Sequence, residues 1–195
     1  HLFAYDAEAI APDILCIAKG LGSGYQPIGA MLCTRNVYET ISEGSGFFQH
    51  GHTYLGHPVA AAAGLAVVQE IIAQDLVQKV QDKSKHLEYQ LRSRFEQNPH
   101  VGDIRGRGFF WGLEFVRDRE KRLPFESDIG LAAKLKKAAF DEGLICYPMP
   151  GTRDGKNGDH VLLAPPFIAK EEEINQALDR LDRAIEKVIQ DVNPA

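Results

Sequence analysis

A single lysine surrounded by glycines separates two short apolar runs near the start of the chain. Residues 12–33 have the sequence PDILCIAKGLGSGYQPIGAMLC, in which Lys19 follows the run 14–17 and precedes the run 28–33. The length and β-branched content of the first run predict a buried strand. Lys19 is then either a solvated residue of a surface turn or an amine in an apolar pocket. In such a pocket, desolvation favours the neutral amine, which is a nucleophile toward a carbonyl.

The spacing of the glycines excludes two common phosphate-binding motifs. A P-loop has its lysine after the glycines, at the start of a helix, whereas Lys19 precedes Gly20, Gly22 and Gly24. The dinucleotide-binding motif requires the spacing G-x-G-x-x-G, which these glycines do not have. The lysine and its glycines therefore need another explanation.

The same stretch resembles the cofactor-lysine segment of the class III (omega-) aminotransferases, which are pyridoxal-phosphate enzymes of fold type I. The family pattern is P-D, an apolar run, A-K-G-L-G-S-G-Y, and then P and G-A, and it matches the chain nearly unbroken from Ala11 to Ala30. The resemblance implies that Lys19 is catalytic and holds pyridoxal 5'-phosphate as a Schiff base. It also implies an α/β fold class: the C-terminal part of a fold-type I pyridoxal-phosphate transferase, with the end of the large α/β domain and the small α+β C-terminal domain.

A second glycine-rich loop, residues 44–58, contains the histidines His50, His52 and His57. An H-x-H pair is a possible metal ligand set, but no cysteine lies close and Glu43 is the only nearby carboxylate, so we expect no metal. The loop resembles the family motif H-G-x-T-Y-x-G-H-P. That resemblance implies that Thr53 binds the phosphate of the cofactor in the neighbouring subunit of a homodimer, through its hydroxyl and its N–H. From the residues alone, Thr53 would be an ordinary turn residue before the next helix.

Bulk properties exclude two classes of partner. The chain of 195 residues is 44% hydrophobic and 25% charged, which is ordinary for a soluble globular protein. A net charge of -5 without lysine or arginine runs argues against nucleic-acid binding, and no apolar run approaches the length of a membrane span. Three cysteines, Cys16, Cys33 and Cys146, lie within apolar runs. We therefore predict buried thiols in a reducing compartment, the cytoplasm.

The resemblance places residues 1–10 after two family segments, D-E-V and G-R-T-G, that precede the first residue of this sequence. We therefore expect the chain to be a C-terminal fragment of a longer enzyme. It would lack the aspartate that pairs with the pyridine nitrogen, the aromatic ring that stacks on the cofactor, and much of the phosphate-binding loop. Alone, it would be inactive.

Apolar periodicity predicts a chain of mixed helices and strands. The predicted helices span about 34–43, 58–74, 76–97, 128–142 and 170–190. The predicted strands span about 14–17, 28–33, 101–116, 144–147 and 161–163. Helix 58–74 is apolar throughout and should be buried on every face. Ser127 should cap the predicted helix 128–142.

We divide the chain into three parts. Residues 1–75 are predicted to be the C-terminal part of the large cofactor-binding domain, 76–100 a connecting helix, and 101–195 the small C-terminal α+β domain. The last part combines strands with amphipathic helices in the manner of a small α+β layer.

One departure from the family pattern bears on the substrate. Members that act on α-amino acids, such as the ornithine and acetylornithine enzymes, carry an arginine two residues before Ala-Pro-Pro, and it grips the α-carboxylate. Leu162 occupies that position. In the amine:pyruvate branch a mobile arginine on the preceding loop binds the carboxylate instead, and Arg153 is the only arginine on that loop. The alternative for Arg153 is a solvated surface charge. Arg105 we interpret as a domain-interface residue.

The resemblance extends over four segments in the right order. It implies a pyridoxal-phosphate-dependent aminotransferase that moves an amino group from an amine or ω-amino acid to a keto acid such as pyruvate. Two alternatives stay open: another pyridoxal enzyme of the same family, a decarboxylase or an aminomutase, or an inactive fragment that serves as a structural module.

Overall fold

The computed structural model describes residues 1–192, and the chain divides into two compact units. The first, which we call the lysine unit, comprises His1–Val77, and the second, the sheet unit, begins at Gln78. The last three residues of the predicted domain 101–195 lie outside the described residues. The division of the chain into a cofactor domain, a connecting helix and a small domain stays a prediction.

A two-stranded antiparallel sheet carries Lys19 in the lysine unit. Strand β1 (Ile14–Ile17) pairs with strand β2 (Ala30–Cys33), and Ile14 lies opposite Cys33. A 3-10 helix over Lys19–Leu21, which we call the lysine turn, follows β1. Both apolar runs therefore form strands, as predicted, and Lys19 lies just beyond the end of β1.

Two α-helices follow this sheet. Helix α1 spans Arg35–Glu43 and helix α2 spans Pro58–Ala73, so both helices predicted in this region are confirmed. Pro58 stands at the start of α2, where the missing N–H of proline costs no helical hydrogen bond. A further 3-10 helix, Ala4–Glu8, lies near the start of the chain.

Burial in the lysine unit differs from the prediction. Ile14 is 56% exposed, Cys16 and Cys33 are exposed, and Gly64 is the one buried residue of α2. The predictions of a buried β1, of buried thiols at these two cysteines and of an α2 buried on every face are therefore wrong for the described residues. A sheet of two strands offers little surface against which other elements can pack. The sequence identifies the apolar side chains, but it does not show which other part of a protein packs against them.

The sheet unit is built on a four-stranded antiparallel sheet in the order β3-β4-β6-β5. Its strands are β3 (Val101–Arg107), β4 (Phe110–Phe115), β5 (Tyr147–Pro150) and β6 (Asp159–Leu163). Its α-helices are α3 (Leu76–Phe95), which begins at the end of the lysine unit, α4 (Leu131–Asp141) and α5 (Glu171–Val192). This combination is the small α+β layer that the sequence predicts.

One face of the sheet and the apolar stripes of the helices form the core of this unit. The predicted stripe of α5 is buried at every position: Ile174, Leu178, Leu181, Ile185 and Val188. Leu113 of β4 and Val161 of β6 are fully buried, and Leu91 of α3 belongs to the same cluster. Each large apolar side chain buried in this way contributes about 1.5–3 kcal/mol. The sheet unit therefore has a hydrophobic core of its own.

Two strand boundaries differ from the prediction. The strand predicted over 101–116 is a hairpin, because Gly108 turns the chain with a φ of 59°. The Gly108 carbonyl accepts a hydrogen bond from Trp111 Nε1 at 2.8 Å, which fixes the turn. The strand predicted over 144–147 instead begins at Tyr147, and Cys146 just before it is half-buried. Burial raises the pKa of the Cys146 thiol to about 11.

Helix α4 is capped by a residue that is distant in sequence. Ser127 does not cap it, contrary to the prediction, because a 3-10 helix over Ser127–Ile129 and Gly130 at φ 65° precede α4. Instead, Asp159 Oδ1 of β6 accepts a hydrogen bond from the N–H of Ala132 at 3.1 Å. A carboxylate at a helix N-terminus satisfies a free donor and interacts favourably with the helix dipole. This contact joins β6 to α4.

Within residues 1–192, no single helix is long and apolar enough to cross a membrane. Helices α2 and α3 reach the length and apolar composition of a membrane span only as a pair, across the break between them.

We expect the substitution Asp159→Ala to lower the free energy of unfolding of the sheet unit by about 1–3 kcal/mol, because the buried N–H of Ala132 loses its acceptor. Trp111, the only tryptophan of the chain, is 4% exposed in this core, so its fluorescence during urea unfolding measures the change. Asp128→Ala, at an exposed aspartate, is the matched control and should change stability by less than about 0.5 kcal/mol. Equal losses in the two variants would contradict the capping role of Asp159.

The Asp159 carboxyl should also make stability depend on pH. Burial raises the pKa of Asp159, and the hydrogen bond from Ala132 and the charge of His160 only partly oppose this. The folded state therefore binds the Asp159 proton more tightly than the unfolded state. The contribution of this group to stability falls as pH rises from its unfolded pKa through its raised folded pKa. Relative to Asp159→Asn, the wild-type protein should lose stability over that range, and the difference should be constant above it.

Candidate active site

Lys19 opens the lysine turn in a left-handed backbone conformation. Its φ is 50°, its carbonyl accepts a hydrogen bond from Gly22 N at 3.1 Å, and Leu21 N donates to Ala18 O at 3.1 Å. A residue with a side chain pays about 1–2 kcal/mol for this conformation, and strained backbone concentrates at functional sites. The turn thus gives the Lys19 side chain a defined starting direction at the end of β1.

Gly22 holds the lysine turn against the chain that follows it. The residue is buried, and a Cβ added there would clash with the carbonyl oxygen of Gln26 and lie 2.9 Å from Ile28 Cγ2. No side chain fits at this position without moving backbone. A second glycine, Gly24, has a φ of 81°, a conformation that side chains disfavour. Steric demands of the turn therefore explain two of the glycines after Lys19.

The described residues do not enclose the Lys19 amine. The side chain is exposed, because the glycines beside it have no side chains with which to cover it. Residues 1–192 therefore do not form the apolar pocket that is one interpretation of the sequence, and the surface-turn interpretation describes these surroundings. An accessible amine on a fixed turn remains able to condense with an aldehyde. The position therefore fits the carbonyl group of pyridoxal phosphate.

Thr53 lies in the loop before α2 and has two unused donors. It is exposed, and neither its hydroxyl nor its N–H has a hydrogen-bond partner within residues 1–192. His57 caps α2 instead, since its Nδ1 accepts a hydrogen bond from Ala60 N at 3.4 Å. The start of the helix therefore does not need the Thr53 hydroxyl. A free hydroxyl and a free amide on one residue fit an anion such as a phosphate.

The histidines of this loop contact aromatic rings and backbone. The rings of His50 and His52 meet edge to face with centroids 5.2 Å apart, and the ring of His57 lies 6.1 Å from that of Tyr54. Within the part of the chain that the structure describes, no group of three or more histidine, cysteine, aspartate or glutamate side chains could hold a metal ion.

Arg153 lies on the exposed loop that joins β5 to β6. Gly151 N donates to Gly158 O at 2.7 Å at the base of the loop, and Arg153 N donates to Asn157 O at 2.9 Å. At the same base, Thr152 Oγ1 lies 2.5 Å from His160 Nδ1 of β6. The backbone at Arg153 is therefore held by hydrogen bonds, while its side chain is exposed.

Asp154 organises the tip of this loop, a role that the sequence analysis missed. Its Oδ1 accepts hydrogen bonds from Asn157 N at 2.6 Å and Lys156 N at 2.9 Å, and its Oδ2 accepts one from Asn157 Nδ2 at 2.8 Å. The bonds from Asn157, more than the neighbouring charge of Arg153, lower the pKa of Asp154 to about 2. An aspartate followed by glycine and asparagine is the signal of such a side-chain turn and could have revealed it.

Leu162 lies on the outer face of the sheet and lines an open cavity of about 430 Å³. Arg105 lines the same cavity, and its Nη1 donates to Asp103 Oδ2 at 2.6 Å and to Glu114 Oε2 at 2.8 Å. The bonds to Glu114 and then Asp103 raise the pKa of Arg105. Its charge is therefore compensated by two carboxylates on its own sheet.

The predicted site residues fall in both units. Lys19 and Thr53 belong to the lysine unit, and Arg153 and Leu162 belong to the sheet unit. Among the described residues, no hydrogen bond joins Lys19 to Thr53. The structure thus gives the local geometry of each candidate residue separately.

Comparison with known proteins agrees with the family resemblance of the Lys19 segment and of the loop that contains Thr53. A sequence model of the family described as "Aminotransferase class-III" matches residues 1–185. An aminotransferase of Gibberella zeae is 39% identical over 185 residues, which cover 94% of this chain and 36% of that protein. An uncharacterized aminotransferase of Schizosaccharomyces pombe is 42% identical, with 96% of this chain and 41% of that protein covered. The chain thus spans about two fifths of the length of these curated relatives.

Solved structures show the same fold. A pyridoxal-phosphate-bound aminotransferase mutant from Vibrio fluvialis matches with a TM-score of 0.89 at 30% identity, over 98% of this chain and 41% of that chain. An (S)-enantioselective omega-transaminase from Thermomicrobium roseum matches with a TM-score of 0.87 at 30% identity, over 97% of this chain and 40% of that chain. The fold is therefore that of part of a fold-type I pyridoxal-phosphate transaminase, and the chain belongs to the class-III aminotransferase family.

Proposed function

We propose that the intact protein is a pyridoxal-phosphate-dependent aminotransferase that moves an amino group from an amine or ω-amino acid to a keto acid such as pyruvate. The observation that carries the proposal is the position of Lys19, which lies on a strained turn at the end of β1 with an accessible amine. Membership of the class-III family supports it, as do transaminases among the relatives. Transfer without release of carbon dioxide would distinguish this activity from that of a decarboxylase.

Pyridoxal phosphate, when bound, supplies an aldehyde for the amine and a pyridine ring that withdraws electrons from the substrate carbon. Lys19 would hold the cofactor through Nζ at the end of β1. When Lys19 is not bonded to the cofactor, its free Nζ would accept and donate a proton at the substrate carbon. The same side chain therefore acts as anchor and then as general base and acid.

Thr53 is proposed to bind the cofactor phosphate of the neighbouring subunit, which makes the protein a homodimer with shared active sites. The support is that its hydroxyl and N–H are both without partners within residues 1–192. A dianionic phosphate accepts such hydrogen bonds strongly, because bonds to a charged acceptor are about twice as strong as neutral ones.

Leu162 and Arg153 are proposed to set the substrate preference. An apolar side chain cannot grip the carboxylate of an α-amino acid, so Leu162 favours amines and ω-amino acids as donors. Arg153 would bind the carboxylate of the keto acid with an exposed guanidinium on a backbone that Asp154 and Gly151 fix. Relatives differ in substrate: one from Halomonas elongata is a diaminobutyrate--2-oxoglutarate transaminase, and one from Aquifex aeolicus is an adenosylmethionine-8-amino-7-oxononanoate aminotransferase.

We also infer a cytoplasmic location, since the free cysteines Cys16, Cys33 and Cys146 suit a reducing compartment.

Borohydride reduction of the intact protein after addition of pyridoxal phosphate should attach the cofactor to Lys19. Peptide mass spectrometry locates the modified residue. Lys19→Arg keeps the positive charge but cannot condense with the aldehyde under these conditions, so it should remove the label. Labelling of another lysine in the wild-type protein, or no labelling, would remove the basis of the proposed function.

Thr53→Ala should weaken cofactor binding by about ten- to a hundredfold, because a hydrogen bond to a charged acceptor contributes about 1.5–3 kcal/mol. Equilibrium dialysis of the cofactor measures the change. Thr53→Ser keeps the hydroxyl and is the matched control, which should bind nearly as tightly as the wild type. A fully active monomer in sedimentation and assay would contradict the shared site.

Arg153→Ala should raise the KM for a keto acid by about tenfold or more, since a charged hydrogen-bonding partner of the carboxylate is lost. The KM for an uncharged amine donor should stay within about twofold, and Arg153→Lys should retain part of the keto-acid affinity. Steady-state kinetics with both substrates measures the two values. Equal effects on both, or none, would show that Arg153 is an ordinary surface charge.

A further inference from the structure

We propose that Gly64 of α2 is a positioning residue for Lys19, which it reaches through the lysine turn. The proposal rests on the proposed function, in which Lys19 binds the cofactor. Gly64 lies 45 residues beyond Lys19 in the sequence, so no local motif links them. Their connection is a packing contact between α2 and the lysine turn.

Gly64 is where α2 meets the lysine turn. It is the one buried residue among the described positions of this helix. A Cβ added at Gly64 would lie 3.2 Å from Ile28 Cδ1, 3.6 Å from Leu21 O and 3.9 Å from Leu21 Cγ. The helix backbone therefore packs beside Leu21, which ends the turn, and an added Cβ would be crowded by the side chain of Ile28.

The backbone around Lys19 is held by hydrogen bonds and close packing, so a displacement of one residue of the turn also moves its neighbours. Leu21 N is bonded to Ala18 O, and Gly22 N is bonded to Lys19 O, each at 3.1 Å. On the other side, Gly22 has no room for a Cβ against Gln26. The side chain of Ile28 packs beside both Gly64 and Gly22. A shift of Ile28 away from α2 therefore presses on Gly22 and moves the left-handed backbone of Lys19, on which the direction of its side chain depends.

The amino acid at this position is unfavourable for the helix itself. Glycine is among the poorest helix formers, and it follows Ala60, Ala61, Ala62 and Ala63, the best ones. Local helix stability would favour alanine at residue 64 as well. Close packing on the lysine turn explains the glycine, and it predicts that added atoms improve the helix while they displace Lys19.

The step that reports the position of Lys19 is its condensation with the cofactor. The neutral Nζ attacks the aldehyde carbon, a C=N bond forms, and the aldehyde oxygen leaves as water with the two amine protons. No electrons are transferred to or from another reactant. Its rate depends on how well Nζ is aimed at the carbon, and a misplacement of about 1 Å costs on the order of a hundredfold in such reactions.

The test measures the rate of this condensation in the intact protein, by the absorbance change of added pyridoxal phosphate and by borohydride trapping on Lys19. Gly64→Ala should slow it by about three- to tenfold, and Gly64→Val by more, because the added atoms push Ile28 toward the turn and misplace Lys19. The thermal unfolding temperature of Gly64→Ala should be equal to that of the wild type or higher, since alanine favours the helix.

A second substitution should reverse the effect. Ile28→Val removes Cδ1, the atom nearest to a Cβ at residue 64. Gly64→Ala/Ile28→Val should therefore condense within about twofold of the rate of Ile28→Val alone, which serves as the matched control. A general loss of structure would not be repaired by a further loss of core volume.

The outcomes separate this inference from the proposed function. Labelling of Lys19 at the wild-type rate in both Gly64 variants would overturn the positioning role and leave the proposed function intact. Slow condensation in Gly64→Ala that Ile28→Val does not relieve would also overturn it. Absence of labelling at Lys19 in the wild-type protein would overturn the proposed function itself.

Discussion

The lack of space for a side chain at Gly22 is the constraint on which the lysine segment depends. Because backbone meets backbone there, the chain after β1 has one course, and Lys19 stands in a left-handed conformation at its start. Gly64 brings α2 against Leu21 of the same turn. Gly22 thus acts on Lys19 through a direct hydrogen bond, and Gly64 acts on it through Leu21 and Ile28. The position of the flexible Lys19 side chain therefore depends first on its backbone conformation.

The sheet unit achieves its order by other means. A continuous apolar cluster joins the inner face of the sheet to α3, α4 and α5. Asp159 adds a polar connection between β6 and α4, in spite of the cost of burying a carboxylate. The Arg153 loop is anchored on the two strands of this framework, β5 and β6. A loop held at both ends on a packed sheet can present an exposed charged side chain from a defined base.

The sequence predicted the helices and strands better than it predicted the turns between them and the contacts they make with other parts of the chain. The α5 stripe from Ile174 to Val188 repeats at helical spacing and is buried as expected, because periodicity directly reflects one face of one helix. The hairpin at Gly108 was missed, since alternate apolar residues continue through its turn. The capping of α4 by Asp159 links residues 27 positions apart, and no local pattern records such a contact.

In the candidate site, too, local features could be predicted from the sequence, whereas contacts between distant residues could not. The glycine-flanked lysine and the free donors of Thr53 lie where the family pattern places them in the chain, and their local geometry follows from nearby residues. The apolar pocket around Lys19 was not found within residues 1–192, because enclosure depends on whatever packs above the turn and not on the turn itself. Gly64 did not stand out in the sequence, since its contacts with Leu21 and Ile28 join residues that are distant along the chain. The local turn signal at Asp154 was present but was not used.

The strand β5 has a consequence for how this sheet meets other chains. It forms one edge of the sheet, and two of its four residues, Pro148 and Pro150, have no N–H to donate. At the opposite edge, β3 carries the charged side chains of Asp103, Arg105 and Arg107. Prolines and charges are features that discourage a foreign strand from extending a sheet. The sheet is thereby protected at both edges against aggregation by strand addition.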